Sequence, residues 1–278
     1  MDQVSRNPGR TNVTSSLGSS GTSKGDASNT AREVPNVIVA VPAYNEGESI
    51  ASVVTEAKEY AHTVLVVDDG SSDQTAVRAV EAGAVTVRHE ENSGYGAALK
   101  TAFSKAADWN ADHLVVIDGD GQHDPTDIQK LVDTQQSHDA EIIIGSRFKG
   151  QSEIPRYRRI GLGVVNFLIW FSFLLLNSSS RVRDTQSGFR AYNKSAIQSL
   201  ATDENLTDGM GASVDVLFHA CSRGFNVREV ETTITYDGPN TSTHNPIRHG
   251  YVLVKRVARA FLDTREINST SQRKTRNS

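Results

Sequence analysis

A single cysteine, Cys221, stands in a chain of 278 residues. One thiol excludes an intrachain disulfide framework and a cysteine-based zinc site, and it fits a reducing compartment. An excess of either charge is lacking too: 29 Lys and Arg against 33 Asp and Glu leave a formal net charge of -4. A chain-wide basic footprint is therefore absent, and no nucleic-acid partner is expected. Two common phosphate-binding devices are missing. No Gly-x-x-x-x-Gly-Lys-Ser/Thr occurs, which argues against a P-loop NTPase. No Gly-x-Gly-x-x-Gly follows the first apolar run, and the nearest match, Gly94-Tyr95-Gly96, has Leu99 where a third glycine belongs. A dinucleotide-dependent oxidoreductase is weakened accordingly. The first 33 positions lack the continuous apolar stretch of a secretory signal.

What is present divides into three parts. Residues 1–33 are rich in Ser, Thr, Gly and Asn, with isolated Val4, Val13 and Leu17, and read as a disordered polar tail. Residues 264–278 form a second polar tail carrying Arg265, Arg273, Lys274 and Arg276. Between them, residues 34–263 read as one α/β domain. Aliphatic runs at Val37–Val41, Val64–Val67, Val85–Val87, Leu114–Ile117 and Ile142–Ile144 alternate with helical segments near Ser49–Ala61, Asp73–Ala82, Ala97–Ala107 and Pro125–Gln135. Runs without polar alternation suit strands buried on both faces, so a mostly parallel sheet with helices on both sides is expected. A helix near Ala212–Arg223, a strand near Val227–Tyr236 and a last helix near Tyr251–Leu262 complete the domain.

The stretch Ile160–Leu176 carries no charge, and Arg156, Arg158 and Arg159 precede it. It falls just short of the roughly 20 apolar residues of a bilayer span. A buried core helix, a transmembrane helix and a helix lying in the membrane interface all remain open. The aromatic residues Phe167, Trp170, Phe171 and Phe173 beside an arginine cluster favour the interface.

In an open parallel sheet, ligands bind beyond the carboxyl ends of the strands. Those ends carry Pro42-Ala43-Tyr44-Asn45-Glu46, Asp68-Asp69-Gly70-Ser71-Ser72-Asp73, Asp118-Gly119-Asp120-Gly121-Gln122-His123 and Gly145-Ser146-Arg147. Each has an ordinary reading: Ser72 or Asp73 as a helix cap, Pro42 as a strand end, Asp-x-Asp as chance. Their recurrence at successive strand ends is harder to assign to caps. Without a glycine-rich cradle, a diphosphate needs another partner, and Mg²⁺ or Mn²⁺ held by Asp-x-Asp supplies one. His123 reads as a local hydrogen-bonding residue, Cys221 as a buried helix residue and His89 as structural.

This ordered set, spread over residues 36 to 235, resembles the signature of inverting family 2 glycosyltransferases with the GT-A fold. Asp118-x-Asp120-x-Gln122-His123 followed by Gly145-Ser146-Arg147 is similar to the dolichyl-phosphate mannose and glucose synthases. Thr243-His244-Asn245-Pro246 with His249-Gly250 resembles archaeal dolichyl-phosphate hexosyltransferases that begin N-glycan assembly.

The resemblance implies residue roles. Pro42, Tyr44 and Glu46 would contact the donor nucleotide, and Val67 and Asp69 its base and ribose. Asp118, Gly119 and Asp120 would face the donor, Asp120 and Gln122 would bind Mg²⁺ or Mn²⁺, and Asp215 would lie near the sugar. Arg147 and Arg158 would hold the phosphate of a dolichyl or polyprenyl phosphate acceptor, with Asp118, Asp120 and Arg147 carrying the catalysis. Such an enzyme would sit on the cytoplasmic face of the cell membrane, peripheral or interfacial. One departure bears on the donor: where mannose synthases carry Arg followed by Gly-Ser-Lys, this chain has Tyr236-Asp237-Gly238-Pro239-Asn240, which leaves both GDP-mannose and a UDP-hexose open. The Gln-x-x-Arg-Trp motif of processive polysaccharide synthases is absent, so polymerisation is not expected. Two alternatives stand beside this reading: a family 2 transferase acting on a sugar hydroxyl, and a non-catalytic nucleotide-sugar-binding protein.

Overall fold

The computed structural model describes residues 35–146, 167, 168, 170–172, 182–209, 211–234, 255, 257–259, 261 and 262. All belong to one compact unit, Pro35–Ser278. The two tails and the Thr243–Gly250 motif lie outside the described residues. In chain order the elements are β1 (Val37–Ala43), α1 (Ile50–Ala57), β2 (Thr63–Asp68), α2 (Thr75–Glu81), β3 (Val85–Arg88), α3 (Tyr95–Asp108), β4 (His113–Val116), α4 (Asp127–His138), β5 (Ile142–Ser146), β6 (Arg190–Asn193), α5 (Lys194–Ala201), α6 (Ala212–Arg223) and β7 (Val227–Glu231).

The strands form one seven-stranded sheet in the order β3-β2-β1-β4-β6-β5-β7. Pairing is parallel throughout except at β6, which runs antiparallel to both β4 and β5. The five aliphatic runs are all strands, and β1, β4 and β5 are buried at every position. Successive residues alternate between two cores, as strand geometry requires. Ile38, Ala40, Leu65 and Val67 pack against α3, α5 and α6. Val37, Val39, Val41 and Val66 pack against α1, α2 and α4.

Two elements escape the sequence reading. Strand β6 has only four residues, Arg-Ala-Tyr-Asn, and no aliphatic run; the sheet forms it by pairing on both sides. Helix α5 begins directly after it, where the Asn193 side chain caps the helix by accepting from the Ala196 N–H. The expected strand at Val227–Tyr236 is shorter than predicted and ends at Glu231, because its pairing with β5 stops at Ser146. Helix α6 matches its predicted span and ends at Gly224, whose φ of 70° gives the left-handed cap that glycine adopts at least cost. On α6, His219 bonds Ser199 of α5 and Asp203 beyond it, each at 2.7 Å, which ties the two helices. Cys221 is partly buried against the same core.

Of the apolar stretch 160–176, the described residues 167, 168 and 170–172 are helical. Leu168 packs on the core and Ser172 is buried, while Phe167, Trp170 and Phe171 stand 58%, 45% and 44% exposed. Among the described residues, no helix is long and apolar enough to cross a membrane.

Candidate functional site at the carboxyl edge of the sheet

The loops after β1 and β2 are built as one unit. Asn45 adopts a φ of 57°, a left-handed conformation that Asn tolerates better than most residues. Its backbone N–H donates to Ser71 Oγ at 2.8 Å, and its side-chain oxygen accepts from the Ser72 N–H at 2.9 Å. The next two N–H groups are also held: Glu46 donates to Thr75 Oγ1, and Gly47 donates to Asp73, each at 2.9 Å. Thus Asp73 and Thr75, at the start of α2, fix the turn that presents Tyr44 and Glu46. Tyr44 stands 46% exposed at this edge.

Asp69 is 4% exposed and accepts three bonds: from the Gly94 N–H at 2.7 Å, the Ser93 N–H at 3.0 Å and His89 Nδ1 at 2.7 Å. His89 Nε2 in turn meets Thr101 Oγ1 at 2.9 Å. Its structural role is therefore specific: it links Asp69 to α3. Asp68 is fully buried and paired with Arg88 at 3.2 Å.

After β4, the carboxylates of Asp118 and Asp120 gather near Glu46. Ser49 Oγ donates to the Gly119 carbonyl at 2.7 Å, and a Cβ at Gly119 would lie in ordinary contact with Ala43, Val41 and Glu46. The Gln122 N–H donates to Asp120 Oδ1 at 3.0 Å. Burial, then the neighbouring Asp118 charge, pushes the Asp120 carboxyl up from its ordinary range. Glu46 moves further, to about 7, through burial first and the charges of Asp120 and Asp118 after it. Glu46 Oε2 is buried with no hydrogen-bond partner. Crowded carboxylates, one of them with a buried oxygen that has no hydrogen-bond partner, form a donor set that fits a cation.

A pH signature follows from Glu46. Between its ordinary value and about 7, the folded protein retains a proton that the unfolded chain has released. Stability therefore falls as pH rises through that window. In metal-free protein, Glu46→Gln is expected to flatten this part of the melting-temperature profile and to raise the melting temperature at pH 8. Parallel profiles for variant and parent between pH 5 and 8 would contradict the assignment.

The chain that carries this edge is similar to known proteins. Residues 38–201 match glycosyl transferase family 2. The chain belongs to that family. It is 32% identical over 186 residues to a UDP-N-acetylglucosamine–dolichyl-phosphate N-acetylglucosaminyltransferase of Methanococcus voltae, covering 59% of this chain and 72% of that protein. It is 28% identical over 233 residues to a dolichyl-phosphate hexose transferase of Haloferax volcanii, covering 83% of this chain and 96% of that protein. Among solved structures, glucosyl-3-phosphoglycerate synthase of Mycobacterium tuberculosis, crystallised with Mn²⁺, UDP and phosphoglyceric acid, aligns with a TM-score of 0.61 at 20% identity. That alignment covers 83% of this chain and 78% of the synthase. The fold is GT-A.

Within this family 2 domain, Tyr44, Glu46, Asp118, Gly119, Asp120 and Gln122 come together at one edge. Pro42 and Val67 do not reach its surface: they are register partners in β1 and β2, buried beneath the loops that follow them. Asp215 lies in the first turn of α6, 5% exposed, where its Oδ2 accepts from the Thr207 N–H at 2.9 Å and Thr207 Oγ1 at 2.6 Å. Arg147 and Arg158 lie outside the described residues. His123 is buried, with Nε2 3.6 Å from Asp118 Oδ2 and its ring against Phe189. Gly145 of the Gly-Ser-Arg run has a packing reason to be glycine, since a Cβ there would lie 2.8 Å from Thr232 and 2.9 Å from Phe189. The sequence reading missed the segment Asp184–Phe189, which precedes β6. Because β6 runs antiparallel, this segment arrives at the same edge as the carboxylates. Its only signal was a cluster of small and polar residues next to a short strand.

Proposed function

We propose that this family 2 glycosyltransferase moves one hexose from a nucleotide-sugar donor, a UDP-hexose or GDP-mannose, to dolichyl or another polyprenyl phosphate, as the first step of lipid-linked N-glycan assembly. The observation that carries the donor side is the crowding of Glu46 and Asp120 beside Asp118: burial and neighbouring negative charge push the Glu46 and Asp120 carboxyls up from their ordinary range. The acceptor side rests on the relatives that use dolichyl phosphate.

Asp120 and Gln122 would hold Mg²⁺ or Mn²⁺. No group of three or more His, Cys, Asp or Glu residues placed for a metal occurs among the described residues; donor phosphates and water would supply the remaining ligands, as is usual for Mg²⁺. When bound, the cation stabilises charge developing on the departing nucleotide diphosphate. Tyr44, Glu46, Asp69, Pro42 and Val67 form the nucleotide side, the last two through the backbone they support. Asp118 and Gly119 face the sugar, and Asp215 borders it through the loop it pins. The acceptor phosphate, with a second pKa of about 6, is already largely an anionic nucleophile near neutrality. It requires no strong base, only arginines that offset its repulsion from the donor, the role of Arg147 and Arg158. A phosphate oxygen forms the bond to the anomeric carbon as the bond to the nucleotide diphosphate breaks, and the electron pair leaves with the diphosphate. In-line attack inverts the centre, giving a β-linked lipid phosphate from an α-linked donor.

The enzyme would work as a peripheral protein at the cytoplasmic membrane face, with Phe167, Trp170 and Phe171 in the interface. Changing all three to serine is expected to lower partitioning to anionic vesicles at least 10-fold, since each buried aromatic contributes about 1.5–3 kcal/mol. Unchanged co-sedimentation would remove this surface from the membrane contact.

The deciding experiment is a radiolabel transfer assay with purified protein, dolichyl phosphate and Mg²⁺ or Mn²⁺, offering UDP-glucose, UDP-GlcNAc and GDP-mannose in parallel. A chloroform-soluble, acid-labile product from one donor names the reaction and the sugar together. Donor hydrolysis or binding with no lipid product from any donor would overturn the acceptor assignment in favour of a hydroxyl acceptor.

A further inference from the structure

The segment before β6 is irregular, yet Asp184, Thr185, Ser187 and Phe189 are each 1% exposed or less. Irregular backbone buried this deeply needs partners for its polar groups. Two side chains from elsewhere in the sheet supply them. Glu229 of β7 accepts from the Arg183 and Asp184 N–H groups, at 2.6 Å each. Arg190, the first residue of β6, is 2% exposed. Its Nε donates to the Ser187 carbonyl at 2.8 Å, Nη2 to the Thr185 carbonyl at 2.8 Å, and Nη1 to the Ser213 carbonyl at 3.0 Å in the first turn of α6. The planar fork of a guanidinium matches three fixed acceptors, a geometry that a lysine ammonium does not reproduce.

What this scaffold holds in place is Gly188. A Cβ built there would lie 2.6 Å from Asp118 Oδ1 and 2.8 Å from Oδ2. The carboxylate therefore rests directly against the bare Cα of Gly188. His123 Nε2 stands 3.6 Å from Oδ2 of the same carboxylate.

We infer that Gly188, held by Arg190, is a positioning residue that sets the direction of the Asp118 carboxylate. This rests on the reading above that Asp118 acts on the donor. The softness of the two partners gives the inference its content. A methyl group at position 188 can be accommodated by moving the segment, which Arg190 and Glu229 clamp, or by turning the end of the Asp118 side chain. That side chain is 35% exposed, and the atoms a methyl group would meet are its terminal oxygens, the far end of a flexible side chain. The carboxylate is the part that yields, so the substitution leaves the fold intact and misdirects the catalytic group.

The test is a double-mutant cycle in the transfer assay with Gly188→Ala and Asp118→Asn, alone and together. Gly188→Ala is expected to melt within a few degrees of the parent and to lose about 10²-fold in kcat, the scale of a misplacement of about 1 Å. Its donor KM should stay within about threefold of the parent, because nucleotide contacts are untouched. In the Asp118→Asn background, Gly188→Ala should produce no further loss, the signature of one residue acting through the other. Full activity of Gly188→Ala beside a crippled Asp118→Asn would overturn the inference alone, and so would losses that add. Full activity of Asp118→Asn would instead sink the reading of the site. If Gly188→Ala fails to fold, Arg190→Lys takes its place: a fall of about 10-fold in kcat, absent in the Asp118→Asn background, is expected. A change confined to KM would overturn the inference.

Discussion

Replacing Asp120 by alanine is expected to lower hexose transfer by about 10²–10³-fold, the scale seen when one electrostatic partner of a developing charge is removed. The physical reason lies in its surroundings. Asp120 is desolvated and faces the like charge of Asp118, and both effects push its carboxyl up. Such an arrangement costs the free protein stability, and under the proposed function a bound cation would offset that cost. The same substitution should therefore leave the melting temperature of metal-free protein unchanged or slightly raised, a trade between stability and function common at active sites. Transfer assays and thermal melts on one preparation check both halves. Unchanged turnover with preserved folding would remove the cation mechanism, and lost turnover with collapsed stability would make Asp120 structural.

Gly96→Ala is expected to have the largest effect on the fold. Gly96 lies in the first turn of α3, where its N–H donates to the Asp208 carbonyl at 2.7 Å. A Cβ at this position would come within 1.8 Å of the Thr207 carbonyl oxygen and 2.8 Å of the Asp208 carbonyl carbon. Both obstacles are backbone, so no side chain can turn aside. Overpacking of this kind costs about 3 kcal/mol or more, and the melting temperature should drop on the order of 10 °C. The displaced loop includes Thr207, which Asp215 holds, so donor KM should rise as well. A melting temperature within about 2 °C of the parent would show that the 207–208 loop shifts freely. Gly94-Tyr95-Gly96 thereby acquires a meaning other than a partial dinucleotide fingerprint. Gly96 admits a neighbouring backbone, and Gly94, with a φ of 98°, makes the turn into the helix while its N–H binds Asp69.

Much of the architecture was legible because it rests on short-range patterns. Uninterrupted aliphatic runs mark strands buried on two faces, and all five runs became strands of the central sheet. Acidic and amide residues directly after those runs were legible for the same reason. Once strands are parallel, their carboxyl ends share an edge, so Glu46, Asp118 and Asp120 had to be neighbours.

Other features depend on contacts between residues far apart in the chain, which leave no periodic trace. Strand β6 has too few apolar residues to announce itself, and it exists because β4 and β5 offer pairing edges on either side. His89 gained its role from Asp69 and Thr101, each more than ten positions away. Pro42 and Val67 belong to their motifs by position, yet strand register buried them below the edge. The sequence by itself determined a parallel α/β sheet with carboxylates gathered at one edge, because periodicity and strand direction are local properties of the chain. Only the tertiary structure decided how those carboxylates are aimed. That depends on where the antiparallel β6 enters the sheet, and on the bare Cα of Gly188 against which Asp118 comes to rest.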